Sequence, residues 1–181
     1  MNLDLPVGES IVYHLTLPEN LPDIQDNGIK KSYTSDKWEI INEFLESVAE
    51  QEHIGEKPRS RAECVFSYGR YADVHDVDSL AVICIDVEKI PNVTLYGASY
   101  NTATKIDEIF QEKQVTSGSE VLDLQILDKE YNNAVDLAKE YWTNCTELHP
   151  PIKRGGEILI ESDVPSQAIV HIYSPDLYYL D

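Results

Sequence analysis

The chain has 181 residues, of which 42% are hydrophobic, and its 33 acidic against 14 basic side chains give a formal net charge of −19. This length and composition are those of an ordinary globular protein, and we treat residues 1–181 as one domain. No apolar stretch approaches the roughly 20 residues that cross a bilayer, and the first ten residues lack the basic and apolar segments of a signal peptide. We therefore expect an intracellular, cytoplasmic protein without a membrane partner.

The negative charge argues against a nucleic-acid partner, because the field of such a protein repels phosphates. Three interpretations of the charge stay open: an ordinary solvated surface, adaptation to high salt that screens self-repulsion, or imitation of DNA toward a basic partner. Cys64, Cys84 and Cys145 form no Cys-x-x-Cys pair, which argues against a disulfide framework and against a zinc site. We expect all three to be core residues and expect no metal.

The first part of the chain predicts a strand and two helices. Residues 11–15 are apolar, β-branched and aromatic, as in a strand. Asn20 is a candidate N-cap and Asn27-Gly28 a candidate C-cap of a short helix. In "SDKWEIINEFLESVAEQEH" apolar residues recur at helical spacing after a cap at Ser35 or Asp36.

The rest of the chain predicts more strands than helices. "ECVFSY" is a short strand, "GRYADVHDVDS" has room for a helical turn, and "LAVICIDV" predicts a central strand. "KIPNVTLYGASY" predicts a strand with a turn at Gly97, residues 101–119 are ambiguous, and "EVLDLQIL" is a candidate strand. "DKEYNNAVDLAKEYWTNC" predicts a helix, and "EILIESDVPSQAIVHIY" two strands around a turn. Without regular βαβ alternation, these elements favour an α+β fold.

Several common catalytic motifs are absent from the sequence. There is no glycine-rich phosphate loop, no His-Glu-x-x-His and no Gly-x-Ser-x-Gly, and the five histidines do not cluster. Nucleotide-hydrolysing, metalloprotease and serine-hydrolase interpretations therefore have no support.

Three predicted strands instead end or begin with a polar residue: His14 in "YHLT", Tyr68 in "CVFSYGRYADV" and Glu157 in "GEILIESDVPSQAIVHI". The first is followed by "NLPDIQDNGI", a short helix that ends in an Asn-Gly turn, and the second by the apolar strand "LAVICIDV". In this order and spacing the chain resembles the ADP-ribosyltransferase superfamily, in its His-Tyr-Glu branch, which includes diphtheria toxin and the poly(ADP-ribose) polymerases.

The resemblance implies an α+β domain in which two packed sheets form an NAD cleft with flanking helices. It also implies catalytic roles for Glu157, His14 and a tyrosine. Glu157 would stabilise the oxocarbenium-like transition state as the nicotinamide–ribose bond breaks. Tyr68 or Tyr71 would stack on nicotinamide, and the choice between them stays open. His14 would hydrogen-bond a ribose hydroxyl and orient NAD.

Further NAD-binding roles follow from the resemblance. Backbone groups beside His14, at Leu15, would hold the carboxamide, with support from Thr16. Arg61 is a candidate partner for the diphosphate, and Arg70 is a weaker one, since a surface ion pair is the preferred interpretation for it. Lys153 and Arg154, which flank the glutamate strand, are candidates for the same role. Each of these residues also has a purely structural interpretation: an arginine more often forms a surface ion pair, and a single histidine or tyrosine is more often a packing residue.

The chain departs from one group of these enzymes. Relatives that modify arginine have a second glutamate two positions before the catalytic one, where this chain has Gly155. This difference argues against arginine as the target.

Three functions follow as hypotheses. The first is a mono-ADP-ribosyltransferase that uses NAD as co-substrate, releases nicotinamide and modifies a protein or small-molecule acceptor, as a toxin, viral effector or housekeeping enzyme would. With water as acceptor it would be an NAD glycohydrolase. The second is a non-catalytic acidic module that binds NAD, ADP-ribose or a basic protein. The third is an RNA 2′-phosphotransferase, for which the chain has few basic residues.

Overall fold

The computed structural model describes residues 5–31, 36–55, 57–58, 60–74, 78–112 and 129–175. Within these residues the strands and helices have the following bounds: β1 (Ile11–Thr16), α1 (Leu21–Asn27), α2 (Asp36–Gln51), β2 (Val65–Tyr68), β3 (Ala81–Asp86), β4 (Leu95–Ala98), α3 (Tyr100–Glu112), α4 (Lys129–Thr143), β5 (Thr146–Leu148), β6 (Glu157–Ile160) and β7 (Ile169–Tyr173). Short 3-10 turns cover Pro18–Asn20, Arg61–Glu63, Tyr71–Asp73, Val87–Lys89 and Ser166–Ala168.

The strands form one seven-stranded antiparallel sheet in the order β5-β4-β6-β2-β1-β3-β7. Helices and an antiparallel sheet in one chain confirm the α+β prediction. The second half of that prediction, two packed sheets that form a cleft, does not describe this architecture, because the described strands all belong to a single sheet.

The sheet is nevertheless weakly joined in its middle. Within the described residues, β1 and β2 share one register pair, Tyr13 opposite Tyr68, whereas β1 and β3 pair along six residues. β2 in turn pairs with β6 along its whole length. The sheet thus consists of two well-paired parts, β5-β4-β6-β2 and β1-β3-β7, with a seam between β1 and β2.

The hydrophobic core lies on both faces of the sheet. Helices α2, α3 and α4 cover one face with a cluster that includes Leu45, Ile106 and Trp142 and that packs on Leu159 of β6. Ile158, next to Leu159 in β6, points to the other face, since side chains alternate along a strand. A second cluster there includes Ile24 of α1.

Helix α1 forms for local reasons that the sequence predicts. Asn20 occupies the N-cap position and Pro22 lies in the first turn, where a missing N–H costs nothing. Gly28 ends the helix with a φ of 74°, in the left-handed region that glycine adopts most easily. Asn20 differs from the expected cap in one respect: its side chain donates to Thr16 Oγ1 at 3.1 Å instead of capping a helix N–H.

Some predictions about elements are wrong. β3 is almost wholly buried, as its sequence suggests, but it lies between β1 and β7, next to the edge of the sheet. Gly97 lies inside β4 and not in a turn. Residues 101–112, part of the stretch for which the sequence favours no element, belong to α3. The candidate strand at residues 120–127 lies outside the described residues.

The three cysteines are free and buried, as expected. Burial raises the pKa of each thiol to about 12, so all three stay protonated and unreactive at neutral pH.

Candidate active site

The three strands that carry the predicted motifs are neighbours in the sheet, in the order β6-β2-β1. Tyr13 lies opposite Tyr68, Tyr68 opposite Glu157, and Glu157 opposite Ala98. Side chains directly across antiparallel strands point to the same face. Tyr68 and Glu157 therefore lie side by side on the face that the helices cover.

The side chain of Glu157 is buried, with 3% of its surface exposed, and is fully engaged. The guanidinium of Arg61 donates from Nη2 to Glu157 Oε1 at 2.7 Å, which also makes an ion pair. The hydroxyl of Tyr141, on α4, donates to Glu157 Oε2 at 3.2 Å and accepts from Arg61 Nε at 2.9 Å. Three buried side chains from three separate segments thus form a closed ring of hydrogen bonds.

Arg61 lies among aromatic rings. Its guanidinium carbon is 4.5 Å from the ring centroid of Phe66, 5.5 Å from that of Tyr141 and 5.6 Å from that of Trp38. Burial disfavours the charged guanidinium, but the nearby Glu157 and Tyr141 outweigh that effect and raise the pKa of Arg61. The arginine that was a candidate for the NAD diphosphate is therefore committed to the glutamate.

A buried asparagine completes the surroundings of Arg61. Asn42 of α2 accepts a hydrogen bond from Arg61 Nη1 through its side-chain oxygen. Its side-chain nitrogen, Nδ2, has no hydrogen-bond partner within the described part of the chain, although Asn42 is 2% exposed. A buried donor without a partner is costly, so Asn42 is held here at some expense of stability.

His14 lies at the seam and not beside Glu157. Its ring nitrogen Nδ1 is 2.7 Å from the carbonyl oxygen of Phe66, in β2. A carbonyl only accepts, so Nδ1 carries the proton and Nε2 is the acceptor of the neutral ring. Burial lowers the pKa of His14, and the bond to Phe66 partly opposes this.

The structure separates His14 from Glu157 but connects their surroundings. The two residues lie two strands apart, about 10 Å in an antiparallel sheet, and alternation places His14 on the face of β1 opposite to Tyr13. Phe66 links them, because its carbonyl oxygen binds His14 and its ring packs on the Arg61 guanidinium that holds Glu157.

The remaining predicted residues have distinct positions. Leu15 packs with the cluster around Tyr13, and the Thr16 hydroxyl accepts from Asn20. The backbone of Tyr71 begins a 3-10 turn just after β2, and its side chain lies outside the described residues.

A cavity of about 400 Å³ opens beside Tyr68 and the segment that precedes Glu157, and Glu157 itself does not line it. The rings of Tyr68 and Tyr100 line it, edge to face, with centroids 5.6 Å apart. Its other lining residues are Asp73, Ala98, Ser99, Asn101, Arg154, Gly155 and Gly156. The cavity thus combines an aromatic pair with a cation and lies against the chain segment that leads into the glutamate.

Gly155 and Gly156 line this cavity and lead directly into β6. Gly156 has a φ of 89°, and its N–H donates to Asp73 at 2.8 Å. A side chain at Gly155 would bring a Cβ to 2.7 Å from the Asp73 carboxylate. A glutamate at this position, as some ADP-ribosyltransferases have, would therefore require the Asp73 side chain to move.

Tyr141, Asn42 and Tyr100 belong to the site but were missed as site residues. Tyr141 lies in a segment that the sequence predicts as a helix, and it is fully buried, so its pattern does not distinguish it from a core residue. Asn42 offers a weak signal, since it is a polar residue on the apolar stripe between Ile41 and Leu45. Tyr100 begins a helix that was not predicted, so no signal placed it near Tyr68.

Among the described residues, no three His, Cys, Asp or Glu side chains lie grouped as they would around a metal ion. The described helices include none with the length and apolar character needed to cross a membrane. Comparison of the chain with family models, with curated proteins and with solved structures finds no match.

Proposed function

We propose that this protein is an NAD-dependent ADP-ribosyltransferase that releases nicotinamide and transfers ADP-ribose to an acceptor. The observation that carries the proposal is the direct cross-strand pairing of Tyr68 with Glu157 beside an open cavity. Segments at residues 13–16, 64–74 and 156–172, singled out from sequence alone, lie on adjacent strands. Unrelated core motifs would have no reason to meet in this way.

Glu157 has the surroundings that this chemistry needs. Breaking the nicotinamide–ribose bond leaves positive charge on the ribose, and a fixed carboxylate stabilises that charge best where water is excluded. Glu157 is held at both oxygens in a buried site, so little reorganisation accompanies the reaction.

Tyr68 and Tyr100 fit the flat nicotinamide ring. Both line the cavity, and aromatic pairs of this geometry bind planar rings through their faces and edges. A cavity of about 400 Å³ lies in the range of small-molecule sites, roughly 300–1,000 Å³. It is suited to the nicotinamide end of NAD, whereas His14 lies on the opposite face of the sheet and takes no part in this binding mode.

Arg154 is better placed than Arg61 to contact the diphosphate. Arg61 is buried and paired, whereas Arg154 lines the cavity. The guanidinium of Arg154 makes only long hydrogen bonds, at 3.3 to 3.4 Å, to Asn144, Thr146 and Ala98. These long bonds leave it able to turn toward a phosphate.

The acceptor we propose is a protein, and the net charge of −19 favours one with a basic surface over a nucleic acid. Gly155 stands where arginine-modifying ADP-ribosyltransferases have a second glutamate, and this difference argues against arginine as the modified side chain.

A second candidate function is a non-catalytic module that binds NAD, ADP-ribose or a basic protein. The observation that favours it is the engagement of both Glu157 oxygens by Arg61 and Tyr141. In that case the hydrogen-bonded ring of Arg61, Tyr141 and Glu157 would be a structural element, and the cavity would be a binding site without turnover.

An assay of nicotinamide release from NAD distinguishes the two functions. The reaction is run at 0.1 M and at 1 M salt, and the released nicotinamide is measured by chromatography. We expect release by the wild type and loss of at least about 100-fold in Glu157→Gln, as on removal of one charged transition-state contact. Glu108→Gln, on the exposed side of α3, makes the same charge change away from the site and is the matched control.

Release that persists in Glu157→Gln would contradict the catalytic role of the glutamate. If no nicotinamide is released at either salt concentration, even with a basic acceptor protein present, the binding module becomes the function that the site supports.

A further inference from the structure

We propose that Tyr141 is a positioning residue that orients the carboxylate of Glu157, an inference that rests on the proposed transferase function. Tyr141 lies on α4 and touches the ion pair from the side opposite to the sheet. Its hydroxyl is the only atom that bonds both partners among the described residues: it accepts from Arg61 Nε at 2.9 Å and donates to Glu157 Oε2 at 3.2 Å.

The geometry constrains the carboxylate in a way that Arg61 alone would not. Arg61 Nη2 holds Oε1 at 2.7 Å, and one contact leaves a carboxylate free to rotate about its last bond. The Tyr141 hydroxyl binds the second oxygen and so fixes the plane of the group. A carboxylate held in one plane keeps the same oxygen directed at the reacting ribose.

The hydroxyl is suited to a fixed donor role. Burial raises the pKa of Tyr141 well above its usual value. The charge of Arg61 opposes this effect, and the negative charge of Glu157 adds to it. The phenol therefore keeps its proton at physiological pH and donates it to Glu157.

A core residue alone would not need this hydroxyl. The ring of Tyr141 packs edge to face on Trp142, with centroids 5.1 Å apart, and phenylalanine would fill that space equally well. Burying a hydroxyl is unfavourable unless it is hydrogen-bonded, and both bonds of this one go to the Arg61–Glu157 pair.

The test is Tyr141→Phe, compared with Tyr131→Phe on the same helix. Tyr131 is half-buried against Phe44 and lies away from the site, so its variant makes the same chemical change as a matched control. We expect Tyr141→Phe to lower kcat for nicotinamide release by about 10- to 100-fold, by analogy with groups that orient metal ligands through hydrogen bonds, with KM for NAD unchanged. Tyr131→Phe should keep both constants.

Rates are divided by the folded fraction from urea unfolding, so that lost stability does not imitate a lower kcat. Equal kcat in the two variants would overturn the proposal, and so would a higher KM with unchanged kcat, which indicates a binding role. A wild type that releases no nicotinamide would instead overturn the transferase function itself, and this is seen before any variant is compared.

Discussion

Glu157 and Arg61 each have at most 4% of their side-chain surface exposed, and their nearest N–O distance is 2.7 Å. Removing two charges from water is expensive, so such a pair is retained only where the geometry is good and the remaining donors are satisfied. Tyr141 and Asn42 provide those additional bonds. The pair is therefore a specific arrangement, and breaking it leaves a charge buried and alone.

Glu157→Ala should reduce the free energy of unfolding by about 3–5 kcal/mol, since it leaves Arg61 as an uncompensated buried charge. Urea unfolding followed by circular dichroism measures the change. Glu52→Ala is the control, because Glu52 pairs with Lys139 at 2.9 Å while both are well exposed, and such pairs contribute about 0–1 kcal/mol. Similar losses in the two variants would show that the buried pair contributes no more than a surface pair.

His14 should make stability depend on pH. Burial lowers its pKa in the folded state below the unfolded value of 6.5, so the unfolded chain binds the proton first as pH falls. The contribution of neutral His14 to the free energy of unfolding is complete above about pH 6.5. It is lost as the pH falls below that value. Unfolding at pH 7.5 and 5.5 should show a smaller decrease for His14→Gln than for the wild type. His171 is exposed on β7, and we expect His171→Gln to lose as much stability between pH 7.5 and 5.5 as the wild type. If His14→Gln also loses as much stability as the wild type, groups other than His14 cause the pH dependence.

The candidate residues could be predicted from sequence only in part. Glu157, Tyr68 and His14 stand at strand ends in a recognisable order, and the sheet does make those strands neighbours. The partner of Arg61 could not be predicted, because the pairing joins residues 96 positions apart through packing of a helix. Tyr141 could not be singled out, since a buried hydrogen-bonded tyrosine has the same sequence pattern as a buried apolar residue.

At the scale of elements, the turns decide where strands and helices end. Gly28 closes α1 and lies against the backbone of Val164, with which the next residue, Ile29, forms an isolated bridge. Its φ of 74° and the close approach of the Val164 carbonyl leave no room for a side chain. The junction ties the loop after α1 to the loop after β6.

Gly28→Ala should lower the free energy of unfolding by about 1–3 kcal/mol from backbone strain, with a further loss from the overlap of its Cβ with Val164. Gly55→Ala is the matched control, because a Cβ there meets no atom within 4 Å, and a change of at most about 0.5 kcal/mol is expected. Urea unfolding of both variants measures the difference. Equal stability would mean that the loop moves to accept the methyl group.

The element predictions succeeded where periodicity was strong and failed where it was diluted. α2 and α4 have long apolar stripes, and both were predicted. α3 has the same spacing at Ala103, Ile106 and Phe110, but polar residues between and before them masked it. The sequence predicts a turn at Gly97, but Gly97 lies in β4. The Arg154 side chain passes closely over it and would collide with a Cβ there. Only the tertiary structure reveals that approach.

At the scale of the molecule, the charge of −19 dominates. Exposed ion pairs are present, such as Lys30 with Asp163 at 3.3 Å and Lys31 with Glu63 at 3.7 Å. The 14 basic side chains cannot pair all 33 acidic ones. Most carboxylates therefore repel one another across the surface, and the folded state is less stable in dilute buffer than its core would allow.

Raising salt from 0.1 M to 1 M should raise the thermal midpoint, since the screening length falls from about 10 Å to about 3 Å. A variant that neutralises three exposed helix acids, Glu108→Gln, Asp136→Asn and Glu140→Gln, should be more stable at low salt and gain less from added salt. Differential scanning calorimetry measures both. A midpoint that falls with salt would show that the ion pairs outweigh the repulsion.

The seam between β1 and β2 divides the sheet into two well-paired parts. The strands β1, β3 and β7 hold one another by continuous ladders, as do β5, β4, β6 and β2, whereas Tyr13 and Tyr68 alone pair across the junction within the described residues. Such a boundary is where a fold opens before it unfolds as a whole. A ligand that contacted both parts would lose contacts when the seam opens, so its binding would add to the free energy of local opening.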